Sequence, residues 1–226
     1  LGALDDKIAA NTSVAHGAEQ LLSAEFTRLQ TDVDARRRPI TEFLELNPRC
    51  AASQRAEPIY VDMQKLPTNG SQIVEWDFRP AKGGARFMNG DTLFARITPC
   101  LENRKAGYVD FLEAGESGVG STEFIVMRAK PGLAKPLSFL FAVDERFRDY
   151  AVQQMIGSSG RQRVSASDLA QYEISLPDGD RLEALGERAN ALFSLVASFR
   201  DESRHLAALR DTLLPHLMSG RITVRD

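Results

Sequence analysis

The sequence is poor in metal-binding and redox side chains. It has two cysteines, Cys50 and Cys100, which form no Cys-x-x-Cys pair and have no histidine cluster beside them. That pattern argues against a disulfide framework or a zinc site and fits two reduced thiols in a cytoplasmic protein. The three histidines, His16, His205 and His216, lie in the terminal segments outside any Ser or Cys motif, so they read as helix-surface or seam residues. No metal site and no cofactor are expected. No apolar run approaches the ~18 residues of a membrane span, and LGALDDKIAAN has neither the basic start nor the apolar core of an export signal. Walker loops and nucleophile elbows are missing, as is a glycine-rich loop after a strand, so no catalytic residue is expected. The first residue is Leu, and we expect the chain to be part of a longer protein.

What is present suits a globular core with an extension, or two small domains. The chain has 226 residues, 43% hydrophobic and 26% charged. A net charge of −3 argues against a uniformly basic nucleic-acid binder. The distribution is uneven. Residues 79–105 carry Arg79, Lys82, Arg86, Arg96, Arg104 and Lys105 against Asp91 and Glu102. Residues 106–127 hold four acids and no Lys or Arg, and residues 128–163 turn basic again, with seven positive charges against three negative. Arg outnumbers Lys 22 to 6. Arg is favoured where a planar donor fork meets phosphate or guanine, although a GC-rich genome enriches it too and a solvated mixed surface stays open.

Three parts separate by pattern: 1–39, 40–180 and 181–226. In 1–38, Leu4, Ile8, Ala15, Ala18, Leu22, Leu29 and Val33 recur at threes and fours, which predicts a helix. The run Arg36-Arg37-Arg38 before Pro39 reads as its cationic C-terminus and stop. In 181–217, Leu182, Leu185, Ala189, Leu192, Val196, Phe199, Ser203, Leu206, Arg210, Leu213 and Leu217 keep a heptad over five repeats, a coiled-coil seam. Positions 182–214 would span roughly 50 Å. Pro215 should disturb the last turn and Ser219-Gly220 should end it. The simplest partner for this seam is the N-terminal helix, as a stalk or as a hairpin packed on the middle. The middle reads as mixed α and β, with short strands at 59–61, 92–97, 107–111, 123–127 and 172–177, a turn at Asn89-Gly90-Asp91, and a helix over 137–156 opened by Pro136 and closed by Gly157. The fold class is therefore α+β: a mixed α/β domain with two long helices forming an antiparallel coiled-coil stalk.

Recognition begins with Phe87-Met88-Asn89-Gly90-Asp91-Thr92-Leu93-Phe94-Ala95-Arg96-Ile97-Thr98-Pro99-Cys100-Leu101-Glu102-Asn103-Arg104-Lys105. Gly120-Ser121-Thr122-Glu123-Phe124-Ile125-Val126-Met127-Arg128 follows. Next comes Gly157-Ser158-Ser159-Gly160-Arg161-Gln162-Arg163-Val164 with Ser167-Asp168-Leu169 and Ile174-Ser175-Leu176-Pro177. These blocks resemble, in order, the target-recognition domain of type I restriction-modification specificity subunits. Residues 1–8 and 209–220 resemble the central and distal spacer helices of that family, so the resemblance runs over nearly the whole chain.

The resemblance implies a non-catalytic DNA reader. A full subunit of the family has two recognition domains, each reading half of a bipartite target, with helical spacers that set the distance and dock the modification subunits. This sequence holds one such domain, 40–180, between spacers 1–39 and 181–226. The implied partners are double-stranded DNA, methyltransferase (M) subunits and the restriction (R) subunit. Self-association as a dimer, or pairing with a second half-subunit, would supply a second domain and a split palindromic target. Candidate DNA-binding residues are Arg86, Arg96, Asn103, Arg104, Lys105, Ser158, Ser159, Arg161, Gln162 and Arg163, of types that suit base edges and phosphates. Candidate helix-contact residues are Leu4, Ile8, Leu22, Leu182, Leu185, Leu192, Val196, Phe199, Leu206 and Leu213. Each loop candidate also has a plainer reading, as a tight turn or a solvated loop. Thr122-Glu123 reads better as a polar anchor of the fold than as a DNA contact. Asn47-Pro48-Arg49-Cys50 faintly resembles an adenine-methyltransferase motif but lacks its second Pro and its aromatic residue, and reads as the entry to the domain. Two alternatives remain: a coiled-coil interaction scaffold without DNA binding, and the specificity end of a fused restriction-methylase.

Overall fold

A computed structural model describes residues 1–80, 83–158, 160–177 and 179–219. The helices are α1 (Gly2–Leu29), α2 (Leu137–Val143), α3 (Glu145–Gln153), α4 (Ala166–Leu169) and α5 (Asp180–Met218). The strands are β1 (Arg36–Pro39), β2 (Leu44–Leu46), β3 (Ile59–Val61), β4 (Asp77–Phe78), β5 (Ala85–Phe87), β6 (Asp91–Ala95), β7 (Ala106–Tyr108), β8 (Gly118–Gly120), β9 (Phe124–Ala129) and β10 (Glu173–Leu176). They form one ribbon, β1-β10, and two four-stranded sheets, β2-β9-β6-β7 and β4-β3-β8-β5.

Strands β6 and β9 divide two cores. Side chains of a strand alternate between its faces. Phe94, Ile125 and Met127 therefore face the helices, in a core with Phe26, Phe141, Phe147, Leu185 and Phe193. Leu93, Ala95, Phe124 and Val126 face the second sheet, with Val61, Ile73, Phe87 and Val109. With both faces covered, all five residues of β6 are buried. The Asn89-Gly90 turn carries the chain from β5 in one sheet to β6 in the other. Gly90 has φ +96°, and the Asp91 N–H donates to the Met88 carbonyl at 3.1 Å. Asp91 itself is fully buried. Its two oxygens accept from Arg128 Nε and Nη2 at 2.6 and 2.8 Å, and Oδ2 also accepts the Met88 N–H at 2.8 Å.

The two long helices run antiparallel, as the pairs Asp5–Arg210, Asn11–Glu202 and Glu25–Arg188 require. Leu22, Phe26, Leu29, Leu182, Leu185, Ala189 and Phe193 enter the helix-side core, so half of the hairpin packs on the domain. Leu4, Ile8, Leu206 and Leu213 lie at the other half, where the seam is only half-buried. Leu192 and Phe199 are half-buried as well, because Phe193 and Arg200 take the fully buried places beside them, while Val196 is buried. The α1 stripe includes two buried polar residues, Asn11 and Glu19.

Three expectations about helices change. Helix α1 ends at Leu29 rather than at 38. Asp32 Oδ1 accepts the Asp34 N–H and the Asp32 carboxylate pairs with Arg181, which turns the chain and leaves Val33 exposed. The basic run Arg36-Arg37-Arg38 is then a strand, pairing with β10 as Arg36↔Leu176 through Pro39↔Glu173, with Arg37 Nε 2.7 Å from Glu173. Residues 137–156 form two helices instead of one. Asp144 adopts an extended conformation (ψ 128°) and its side chain accepts the Phe147 N–H, starting α3 afresh. Finally, α5 runs through Pro215 to Met218, and Ser219 caps it by donating its N–H to the Pro215 carbonyl. Pro215 falls in the last turn, so the one hydrogen bond it cannot donate, to the Asp211 carbonyl, is lost close to the helix end. Gly220 lies outside the described residues.

Candidate nucleic-acid interface

Arg86 lies on β5, an edge strand of its sheet, with its side chain exposed. Beside it a groove of about 610 Å³ runs past Pro48, Arg49, Arg55, Gly83 and Gly84, and a shallower one of about 330 Å³ continues past Asn47, Arg96, Thr122 and Phe124. The two share Pro48, Gly84 and Arg86. Gly84 (φ +130°) is forced to be glycine, because a Cβ there would lie 2.2 Å from the Gly120 carbonyl oxygen. Arg55 is committed to Glu113 and Glu116, but Arg49 and Arg86 have no ion-pair partner among the described residues. The groove thus presents two free guanidinium groups beside exposed backbone, a combination suited to phosphate oxygens. Asn47 (φ +51°) closes the end of the β2–β9 pairing, with its N–H on the Val126 carbonyl and its Oδ1 accepting the Val126 N–H. The Asn-Pro-Arg-Cys run therefore serves the fold and aims Arg49 at the groove.

Next to this groove stands the finger 156–163. Ile156 and Arg163 exchange two backbone hydrogen bonds of 2.9 Å, and the Arg161 N–H donates to the Ser158 carbonyl at 3.0 Å. Gly157 has φ +140°, and a Cβ there would meet the Arg161 carbonyl at 2.9 Å. The finger is fastened to the segment after β6 by Gln162 N–H to Thr98 Oγ1 at 3.1 Å and Thr98 N–H to the Gln162 carbonyl at 3.1 Å. Glu123 clamps its base. It accepts Arg163 Nε at 2.9 Å and Nη2 at 2.7 Å, and Arg96 Nε lies 3.7 Å away as an ion pair without a hydrogen bond. The hydrogen bonds from Arg163 hold the Glu123 carboxyl below the usual carboxylate range. Ser158 and Arg161 are exposed on the finger, Ile156 stands 76% exposed beside them, and Ser159 lies outside the described residues.

The sequence candidates therefore do not form one cluster. Arg86, Arg96, Arg161, Gln162, Arg163 and Ser158 share the neighbourhood of the groove and finger. Arg104 instead has φ +61° and pairs with Glu145 of α3 at 2.8 Å. Lys105 turns inward, with Nζ donating to the Met63, Gln64 and Leu66 carbonyls at 2.8, 3.4 and 3.3 Å. Asn103 is exposed in the tight turn before them, its N–H on the Pro99 carbonyl. Arg163, though beside the groove, spends its donors on Glu123. Arg49 was not singled out, and its signal lay in the very motif set aside as a methyltransferase look-alike. Among the described residues no His, Cys, Asp and Glu group could hold a metal ion. No helix there is long and apolar enough to cross a membrane.

No family model matches the chain. It is 29% identical over 170 residues to the type I restriction enzyme EcoAI specificity subunit of Escherichia coli, which covers 73% of this chain and 29% of that protein. It is 29% identical over 148 residues to the EcoEI specificity subunit of the same organism, over 61% of this chain and 24% of that one. The chain thus matches less than a third of the length of these curated relatives. In fold it resembles the type I restriction-modification S subunit of M. genitalium, with a TM-score of 0.58 and 11% identity over 94% of this chain and 57% of that one. In sequence, and in fold, the chain is thus similar to type I restriction-enzyme specificity subunits.

Proposed function

We propose that the chain recognises double-stranded DNA as one target-recognition unit of a type I specificity subunit, without catalysis of its own. The observation that carries this reading is the groove where Arg49 and Arg86 stand unpaired, flanked by a finger whose base is locked by Glu123. Phosphate contacts from these two residues would fix register, and Arg161, Gln162 and Ser158 on the finger are of types that read base edges. Arg96 and Arg163 hold the finger in place, and Asn103, Arg104 and Lys105 lie away from this surface. The helical hairpin would carry methyltransferase and restriction subunits. Val14 and Leu21, seven residues apart on α1 and 52% and 59% exposed, together with exposed Leu209 and Leu214 on α5, offer apolar surface for that docking or for pairing with a second half-subunit. In this reading residues 40–180 recognise the target, the two helices space and dock, and the complex works in the cytoplasm.

Salt-dependent binding of a duplex, followed by fluorescence anisotropy, tests the proposal. Affinity should fall log-linearly with salt, and Arg49→Gln and Arg86→Gln should each reduce the slope by about 1. A flat salt response would overturn DNA recognition in favour of a protein-binding scaffold. Mapping methylation after adding the cognate methyltransferase subunit should give a split motif.

A further inference from the structure

A second cavity, of about 540 Å³, lies on the other face of the β6–β9 wall. It is bounded by α1, the turn at 68–70 and the corner where α2 meets α3, and its cationic side is formed by Arg104, Arg146 and Arg148. Arg148 is 5% exposed. Its Nη2 donates to the Arg104 carbonyl at 2.9 Å, while Nε and Nη1 have no hydrogen-bond partner. No carboxylate stands within ion-pair distance of it among the described residues, and besides that carbonyl it has only the Phe94 ring, 5.5 Å away. Burial, with Arg104 nearby, pushes this guanidinium down to about 10. A charge held this way is costly until a counter-charge approaches it.

The acids around the cavity do not supply that counter-charge. Glu145 is taken by Arg104. Asp144 accepts from Gln30 Nε2 at 2.6 Å and from the Phe147 N–H at 3.0 Å. Glu19 accepts the Ser71 N–H at 3.1 Å and the Ser71 hydroxyl, and burial raises its pKa. Each of these acids thus has partners of its own, and neither Arg146, whose Nη1 reaches Gln30 Oε1 at 3.5 Å, nor Arg148 has a carboxylate within ion-pair distance among the described residues. The lining adds the neutral donors Thr27, Thr68 and Asn69.

We propose that this cavity binds a phosphate group, seated against Arg146 and Arg148 beneath the α1 helix. Paired guanidinium forks suit the tetrahedral oxygens of phosphate better than a single cation would. The volume leaves room for an organic group attached to the phosphate. The phosphate could belong to a free phosphoryl compound or to a nucleic-acid backbone, and the experiment separates these.

Thermal unfolding of the whole chain is followed against inorganic phosphate, with sodium acetate at matched ionic strength as the control. A saturable rise in Tm with phosphate and none with acetate is expected. Arg146→Gln, which changes an exposed side chain, should weaken the apparent phosphate affinity about tenfold, as should Arg148→Met if it folds. No saturable rise, an equal rise with acetate, or an unchanged response in Arg146→Gln would each overturn the proposal. Duplex binding is then measured for Arg146→Gln with and without phosphate. Loss of duplex affinity together with competition by phosphate assigns the site to a nucleic-acid backbone. Unchanged duplex binding alongside a lost phosphate response assigns it to a free phosphoryl ligand, whether or not the Arg86 groove binds DNA.

Discussion

Replacing Asp91 by Asn tests whether the join between the two sheets rests on one buried carboxylate. Asp91 is fully buried, and its oxygens receive two hydrogen bonds from Arg128 and one from the Met88 amide, where the chain crosses from β5 to β6. Asn keeps one acceptor and turns an NH₂ toward a guanidinium, so at least one charge-assisted bond is lost and Arg128 keeps an unanswered charge. Breaking a buried pair from one side costs about 3–5 kcal/mol. The Arg128 side chain is 22% exposed and can recover some hydration, which places the expected loss near 3 kcal/mol. With a urea m-value of about 2 kcal/mol/M, the midpoint should fall by about 1.5 M. Adding Arg128→Met to Asp91→Asn should recover part of the loss, because the stranded cation is then gone. A midpoint drop below about 0.5 M in the single variant, or a double variant worse than the sum of the two singles, would refute the reasoning.

Phe26 is 1% exposed and meets Phe141 edge to face at 4.9 Å, so Phe26→Ala should cost about 3–5 kcal/mol by urea unfolding. Glu19 behaves in the opposite way to most paired carboxylates. Its folded pKa is raised by burial, so its contribution is present below the ordinary value of 4.5 and lost as pH rises through the folded value. Glu19→Gln, measured by thermal melts, should change stability at neutral pH by under about 1 kcal/mol and remove that fall. Glu123 has a folded pKa below its ordinary 4.5, chiefly through Arg163, so its contribution is present above 4.5 and lost as pH falls through the lower value. Amide exchange at Ile156 and Arg163 should therefore quicken at the acid end relative to the β6 core.

The architecture was legible where periodicity was long. The α5 heptad could be read because a seam repeated over many turns averages out single exceptions. The α1 stripe was blurred by Asn11 and Glu19, which occupy seam positions and are satisfied by Glu202 and Ser71 across large sequence gaps. Arg36–Pro39 was misread because three cations before a proline carry a helix-end signal, whereas the ladder to β10 that makes them a strand is a contact across more than 130 residues. The Asp144 break was missed because the apolar pattern continues across it, and only its side chain on the Phe147 amide marks the restart. In the candidate interface, residue type pointed to the finger and to Arg86, yet composition could not show that Lys105 turns onto three carbonyls or that Arg163 is consumed by Glu123.

The β1–β10 ribbon places the chain's way into the domain directly beside its way out, just where α1 has finished and α5 is about to begin. That clasp fixes how the two helices enter and leave the domain, and because Phe26, Leu185 and Phe193 lie in the same core as Phe94 and Phe141, a change inside the domain is felt by the helices at this joint.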